Sequence, residues 1–141
     1  MTTRHLPPTA VVIGFIDRIN RGDARGLGEL MTDDHQLLVY DEPPVSGRDA
    51  NIAAWQGYAD ASPGYVIYPR RLAEPDDLGS GTAGRVAVLG TTTGSHLGLP
   101  DEEERKLTLI WLAEAVDGRL RSWRLLPDTP ENRKDLGLDA V

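Results

Sequence analysis

Side chains able to hold a proton, a metal ion or a reactive electron pair are sparse in this sequence. There is no cysteine, which removes disulfides, thiolate catalysis and cysteine-held metals together. The three histidines, His5, His35 and His96, are scattered and lack metal-ligand spacing. Asp33-Asp34-His35 has the residue types to hold a cation, but a loop at the end of a helix accounts for it better. The acidic run Asp101–Glu104 reads as a solvated loop. Gly79–Gly84 is rich in glycine but lacks the lysine and following helix of a phosphate-binding loop, and no Gly-x-Ser-x-Gly element occurs. Nucleotide binding and serine-nucleophile hydrolysis are therefore not expected, and neither a metal nor a cofactor is implied.

What remains is a set of large rings, Trp55, Tyr58, Trp111 and Trp123. Inside a curved sheet such rings either line a cavity or fill it, and their polar edges need partners when buried. Their use depends on the elements that carry them. Pro7 and Pro8 suit a helix entry. Val11, Val12, Phe15, Ile16 and Ile19 then recur at helical spacing up to the stop at Gly22. Asp23 can cap a second helix carrying Leu27, Leu30 and Met31, which Asp33-Asp34 ends. A short strand is expected over Gln36–Tyr40, and a third helix over about 49–61 with Ile52, Trp55, Tyr58 and Ala59 on one face. The rest reads as strands, Tyr65–Leu72, Arg85–His96, Arg105–Val116 and Leu120–Leu126, with a polar loop over Glu74–Gly84. Asp117-Gly118 signals a hairpin between the last two. Helices followed by antiparallel strands mean an α+β fold in one domain, 1–141, with residues 1–8 and 129–141 as flexible arms.

The strand Leu107–Val116 is largely apolar on both faces: Leu107, Leu109, Trp111, Ala113 and Ala115 on one, Thr108, Ile110, Leu112, Glu114 and Val116 on the other. A sheet with one solvated face alternates more cleanly. Both faces are therefore expected to be covered, one by the helices and the other by a second copy in a two-fold homodimer through the sheet.

A net charge of −7 over 141 residues suits a single acidic domain and repels phosphate backbones, so nucleic acid is not an expected partner. There is no basic block for a membrane surface. Val11–Ile16 is too short for a signal-peptide core, and no apolar run reaches the ~20 residues that span a bilayer. A cytoplasmic location without membrane contact is expected.

In order and spacing, Phe15–Asp23, Leu30–Asp34, Ser46-Gly47-Arg48 leading to Ile52 and Trp55, Thr93–Gly98, and Val116–Leu120 with Trp123 resemble the nuclear-transport-factor-2-like superfamily, in its SnoaL-like and ketosteroid-isomerase-like branches. The resemblance spans about residues 9–128. It implies a cystatin-like cone, a curved antiparallel or mixed sheet wrapped around three N-terminal helices, often dimeric through the sheet. Members include isomerases, cyclases, epoxide hydrolases and plain binding modules, so the fold alone does not assign an activity.

The ketosteroid-isomerase residues do not carry over. The oxyanion-binding tyrosine of the first helix corresponds to Phe15, the general-base aspartate of the first strand to Val39, and the protonated aspartate of the penultimate strand falls near Trp111. Trp55 matches a pocket aromatic of that family. SnoaL-like cyclases use a pocket Asp or His, and the resemblance offers His96 and Asp41 as acid–base candidates, with Asp128 as a further one. A bulge or register change in the first strand would bring Asp41 or Tyr40 to the pocket mouth. Phe15, Val39, Tyr40, Trp55, Tyr58, Trp111 and Trp123 are then expected to shape a cavity for a small hydrophobic organic ligand, with cofactor-independent cyclase- or isomerase-type chemistry. The alternative is a non-catalytic ligand-binding, dimerisation or protein-interaction module of the same fold. An epoxide-hydrolase reading would need an Asp-Arg-Asp constellation, and no spacing calls for one.

Overall fold

The computed structural model describes residues 6–75 and 83–139. The chain runs α1 (Pro8–Arg21), α2 (Ala24–Glu29), β1 (Met31–Val39), β2 (Val45–Ser46), α3 (Arg48–Ala61), β3 (Val66–Ala73), β4 (Ala83–Thr93), α4 (Asp101–Glu104), β5 (Leu109–Val116), β6 (Arg119–Pro127) and α5 (Pro130–Asp135). The strands form one sheet in the order β2-β1-β6-β5-β4-β3. All neighbours are antiparallel except β1 and β6, which run parallel, so the sheet is mixed. Residues 76–82, most of the expected Glu74–Gly84 loop with its glycine-rich stretch, lie outside the described residues, as do residues 1–5 of the expected N-terminal arm.

The expected periodicity places α1 well. Pro8 opens it, and Gly22 closes it at φ 67°, with the amides of Gly22 and Asp23 donating to Ile19 and Arg18 carbonyls. Val11, Val12, Phe15, Ile16 and Ile19 are buried against the concave face, where Val86, Val88, Trp111, Ala113, Ala115, Leu120 and Trp123 complete the core. Asp23 caps α2 by accepting the Gly26 N–H at 2.9 Å. The hairpin at Asp117-Gly118 stands as expected, with φ 49° and 82°.

Three expectations change. First, α2 ends at Glu29, and Met31–Asp34 belong to β1, not to a helix end. Parallel pairing with β6, with a register shift between Met31 and Gln36, recruits these residues into the sheet despite their polarity. Second, the acidic run is not a solvated loop throughout. It forms the single turn α4, and Glu104 at its end is 1 % exposed. Third, residues 129–139 are not a flexible arm. Thr129 caps α5, Asp128 holds Arg133 through two contacts of 2.6 and 2.7 Å, and Arg71 donates to the Leu138 carbonyl.

This C-terminal strap covers Ile110, one of the outward apolar residues of β5. Leu136 and Leu138 are buried against Ala87, Leu89 and Ile110 on the convex face. Each leucine so buried contributes about 1.5–3 kcal/mol relative to exposure. One end of the outer face is thus covered by the chain itself. The rest of that face is a shallow trough in which Leu38, Leu112 and Leu126 lie among Asp34, Arg85, Glu114, Arg121 and Arg124. Among the described residues no helix is long and apolar enough to cross a membrane.

Candidate active site in the cone

Between α3 and the concave strands lies a cavity of about 180 Å³. Leu37 and Val39 of β1, Trp111 of β5, and Trp123 and Leu125 of β6 form its sheet side. Ala54, Trp55 and Tyr58 of α3, with Tyr65 and His96, form the other. Val39, Trp55, Tyr58, Trp111, Trp123 and His96, all singled out by the sequence, therefore meet around one space. The rings hold one another at defined angles. Trp111 and Trp123 stack with centroids 6.4 Å apart, and Tyr58 stands edge-on to Trp55 at 6.3 Å and to Tyr65 at 4.9 Å.

The cavity mouth carries a polar pair. The Tyr58 oxygen accepts the backbone N–H of His96 at 3.1 Å and lies 2.9 Å from His96 Nδ1, to which its hydroxyl can donate. Burial raises the Tyr58 pKa and outweighs the His96 amide, which lowers it, so the phenol stays protonated and keeps that proton to give. The Tyr65 phenol is likewise pushed up, chiefly by burial. His96 itself is exposed.

Local geometry explains why His96 arrives there. Gly94 follows β4 at φ 70°, and a Cβ on it would lie 2.2 Å from the Gly64 carbonyl oxygen, so only glycine lets this loop press against the turn before Tyr65. Glu104 ties the same loop from behind, accepting the Thr92 hydroxyl and the Ser95 N–H.

The other candidates lie elsewhere. Asp41 and Tyr40 sit in the exposed turn beyond β1 and do not line the cavity. β1 pairs with β6 in unbroken register from Gln36 to Val39, so its one irregularity is upstream and does not re-aim them. Tyr40 takes φ 46° and is 48 % exposed. Phe15 is fully buried behind the cavity, 5.0 Å from Trp123 and 6.4 Å from Trp55 by ring centroids, and plugs the cone. Asp128 anchors α5 and binds the Thr108 hydroxyl, away from the cavity.

The sequence reading put His35 in a loop at a helix end, but it is fully buried on β1. Its Nδ1 lies 2.6 Å from the Leu120 carbonyl. A carbonyl only accepts, so the proton is on Nδ1 and Nε2 carries a lone pair, buried and unpartnered. Burial lowers the His35 pKa against the opposing pull of Leu120 and Asp34. The signal was the alternation itself: His35 shares its strand face with Leu37 and Val39. Asn51 was also missed. It is buried on α3 and its Nδ2 reaches the carbonyls of His35, Val45 and Gly47 at 2.8–3.1 Å. Tyr65 and Glu104 complete the omissions. Among the described residues no cluster of three or more His, Asp or Glu could hold a metal ion.

Solved structures of similar shape agree on the fold. A cystatin-fold protein from Novosphingobium aromaticivorans superposes with TM-score 0.68 at 14 % identity, over 86 % of this chain and 98 % of that one. An NTF2-like protein from Cytophaga hutchinsonii gives 0.63 at 11 %, over 91 % and 95 %. TerC, co-crystallised with polyporic acid, gives 0.66 at 17 %, over 94 % and 99 %. No curated protein matches the sequence. The model of the SnoaL-like domain matches residues 12–123, from the buried face of α1 to the tryptophan on β6, and the chain belongs to that family.

Proposed function

We propose that this SnoaL-like domain binds a small, largely apolar ring-shaped organic molecule in its cone, and that the Tyr58–His96 pair exchanges a proton with it at the mouth. The observation that carries this reading is the apolar cavity of about 180 Å³ opening onto a single hydroxyl–imidazole pair. The volume lies below the ~300 Å³ usual for drug-sized ligands, so the cone by itself holds about one ring. An engineered apolar cavity of about 150 Å³ is known to take benzene. The complex of TerC with polyporic acid supports a small-molecule role for a domain of this shape.

The chemistry available is a cofactor-independent acid–base step. Imidazole accepts a proton from an activated C–H and returns it to another carbon or oxygen, while the Tyr58 hydroxyl donates to the developing negative charge. The test is to incubate the protein with small cyclic ketones in D2O and follow α-proton exchange by NMR. Exchange that is lost in His96→Ala and reduced in Tyr58→Phe supports the enzyme. Binding of the same compounds without exchange favours the second reading, a plain binding module. One feature favours that module: away from its mouth, the cavity is lined by no ionisable side chain other than phenols held protonated.

A further inference from the structure

A second cavity, of about 230 Å³, lies on the other side of the Trp55–Tyr58–Tyr65 cluster. Its remaining wall comes from three helices, with Ile19, Leu27 and Ala59 beside the polar Arg21, Gln56 and Asp60. Trp55, Tyr58 and Tyr65 line this cavity and the cone cavity alike. These rings are therefore a shared wall, and Tyr58 is its latch, fastened to His96 on one side and standing 4.9 Å edge-on to Tyr65 on the other.

A separate observation comes from the same wall. Trp55 Nε1 is buried and has no hydrogen-bond partner. A buried indole N–H ordinarily finds an acceptor, and leaving one unpaired costs about 1–3 kcal/mol. Neither cavity alone is large enough for an ordinary ligand, but their volumes taken together pass the ~300 Å³ lower bound for such sites.

We propose that the two cavities are halves of one extended site, and that its ligand is an elongated, uncharged two-ring molecule with a carbonyl or similar acceptor oxygen near its middle. One ring enters the cone against Trp111 and Trp123. The central oxygen accepts the Trp55 Nε1–H. The second ring displaces Tyr58 from His96 and enters the space beside Ala59. The inference rests on the reading that the cone takes a small organic molecule, and it names the ligand class of that site.

The test uses the full chain and two probes, phenol and 4-hydroxybenzophenone, with binding followed by calorimetry and the Trp55 indole N–H by NMR. The wild-type chain is expected to bind the two-ring probe about tenfold or more tighter than phenol, and that probe alone should shift the Trp55 indole proton downfield. Ala59→Leu fills only the second cavity. It should weaken the two-ring probe about tenfold and leave phenol within about twofold, and retained phenol binding also shows that the variant folds. Equal loss or equal retention of both probes in Ala59→Leu, or an unmoved indole signal, overturns the extended site while the cone reading stands. Failure of the wild-type chain to bind either probe overturns both.

Discussion

Nδ1 of His35 on β1 donates to the carbonyl of Leu120 on β6 across 2.6 Å, and the imidazole that does so is sealed from solvent. Burial holds its pKa below the ordinary value of 6.5. The unfolded chain therefore takes up this proton before the folded chain does, so stability is full at higher pH and declines as pH falls through about 6.5 toward the folded pKa. Urea unfolding is expected to show this decline between pH 7.5 and 5.5, at no more than about 1.4 kcal/mol per pH unit for one proton. Asp34 and Asp128 do not confuse the window, since both pKa values lie below 3.8. In His35→Leu the slope over this window should flatten; an unchanged slope would refute the assignment.

Glu104 sets the position of the His96 loop from behind. Removing its carboxylate in Glu104→Ala leaves the Thr92 hydroxyl and Ser95 N–H buried without an acceptor, at a cost of about 1–3 kcal/mol. Glu104→Gln keeps an acceptor oxygen and should cost less. The specific readout is the His96 imidazole signal in NMR, which should move in Glu104→Ala and stay close to wild type in Glu104→Gln.

Gly94 should be intolerant of any side chain. Gly94→Ala combines a left-handed backbone with a Cβ placed 2.2 Å from the Gly64 carbonyl oxygen, and overpacking of this kind costs about 1–3 kcal/mol or more. The chain is expected to melt at lower temperature and to lose the Tyr58–His96 contact. By comparison, Gly57 has open space around its Cβ position, so Gly57→Ala should be neutral or stabilising in the same melt.

The strap is predicted to be part of the stable fold. Leu138→Ala removes a fully buried side chain and should cost about 2–5 kcal/mol. The Asp128 carboxyl is held below its ordinary pKa chiefly by Arg133. Its contribution is present above about pH 3.8 and is lost as pH falls toward the folded value. Amide exchange in Leu136–Leu138 should accelerate in Leu138→Ala, and protection equal to that of wild type would refute the docking.

The legible parts of this protein are those governed by local rules. Val11 to Ile19 repeat at the helical period, Gly22 stops them, and Asp117-Gly118 turns the last hairpin, so α1, β5 and β6 can be read directly. Trp55, Trp111 and Trp123 could be assigned to one space from the third helix and the last two strands, and Val39 through the family resemblance. What escaped reading was set by pairing between distant segments. Met31–His35 are polar enough to pass for a loop and become strand only because β6 lies alongside. Glu104 looks like one more acid in a run until Thr92 and Ser95 close on it. Leu136 and Leu138 look like a stray pair in a polar tail until the convex face of β4 and β5 receives them.

The parallel seam between β1 and β6 also orders events in time. β1 is made well before its main partner β6, and the bond from His35 to Leu120 joins residues 85 positions apart. Until β6 has emerged, β1 can pair only with the two-residue β2. Closing so long a loop is slow compared with forming a hairpin. The register from Leu37–Trp123 to Val39–Leu125, which forms much of the sheet side of the cavity, therefore forms only after β6 is available. The cavity is completed only when this seam links the β2-β1 pair to the β6-β5-β4-β3 strands.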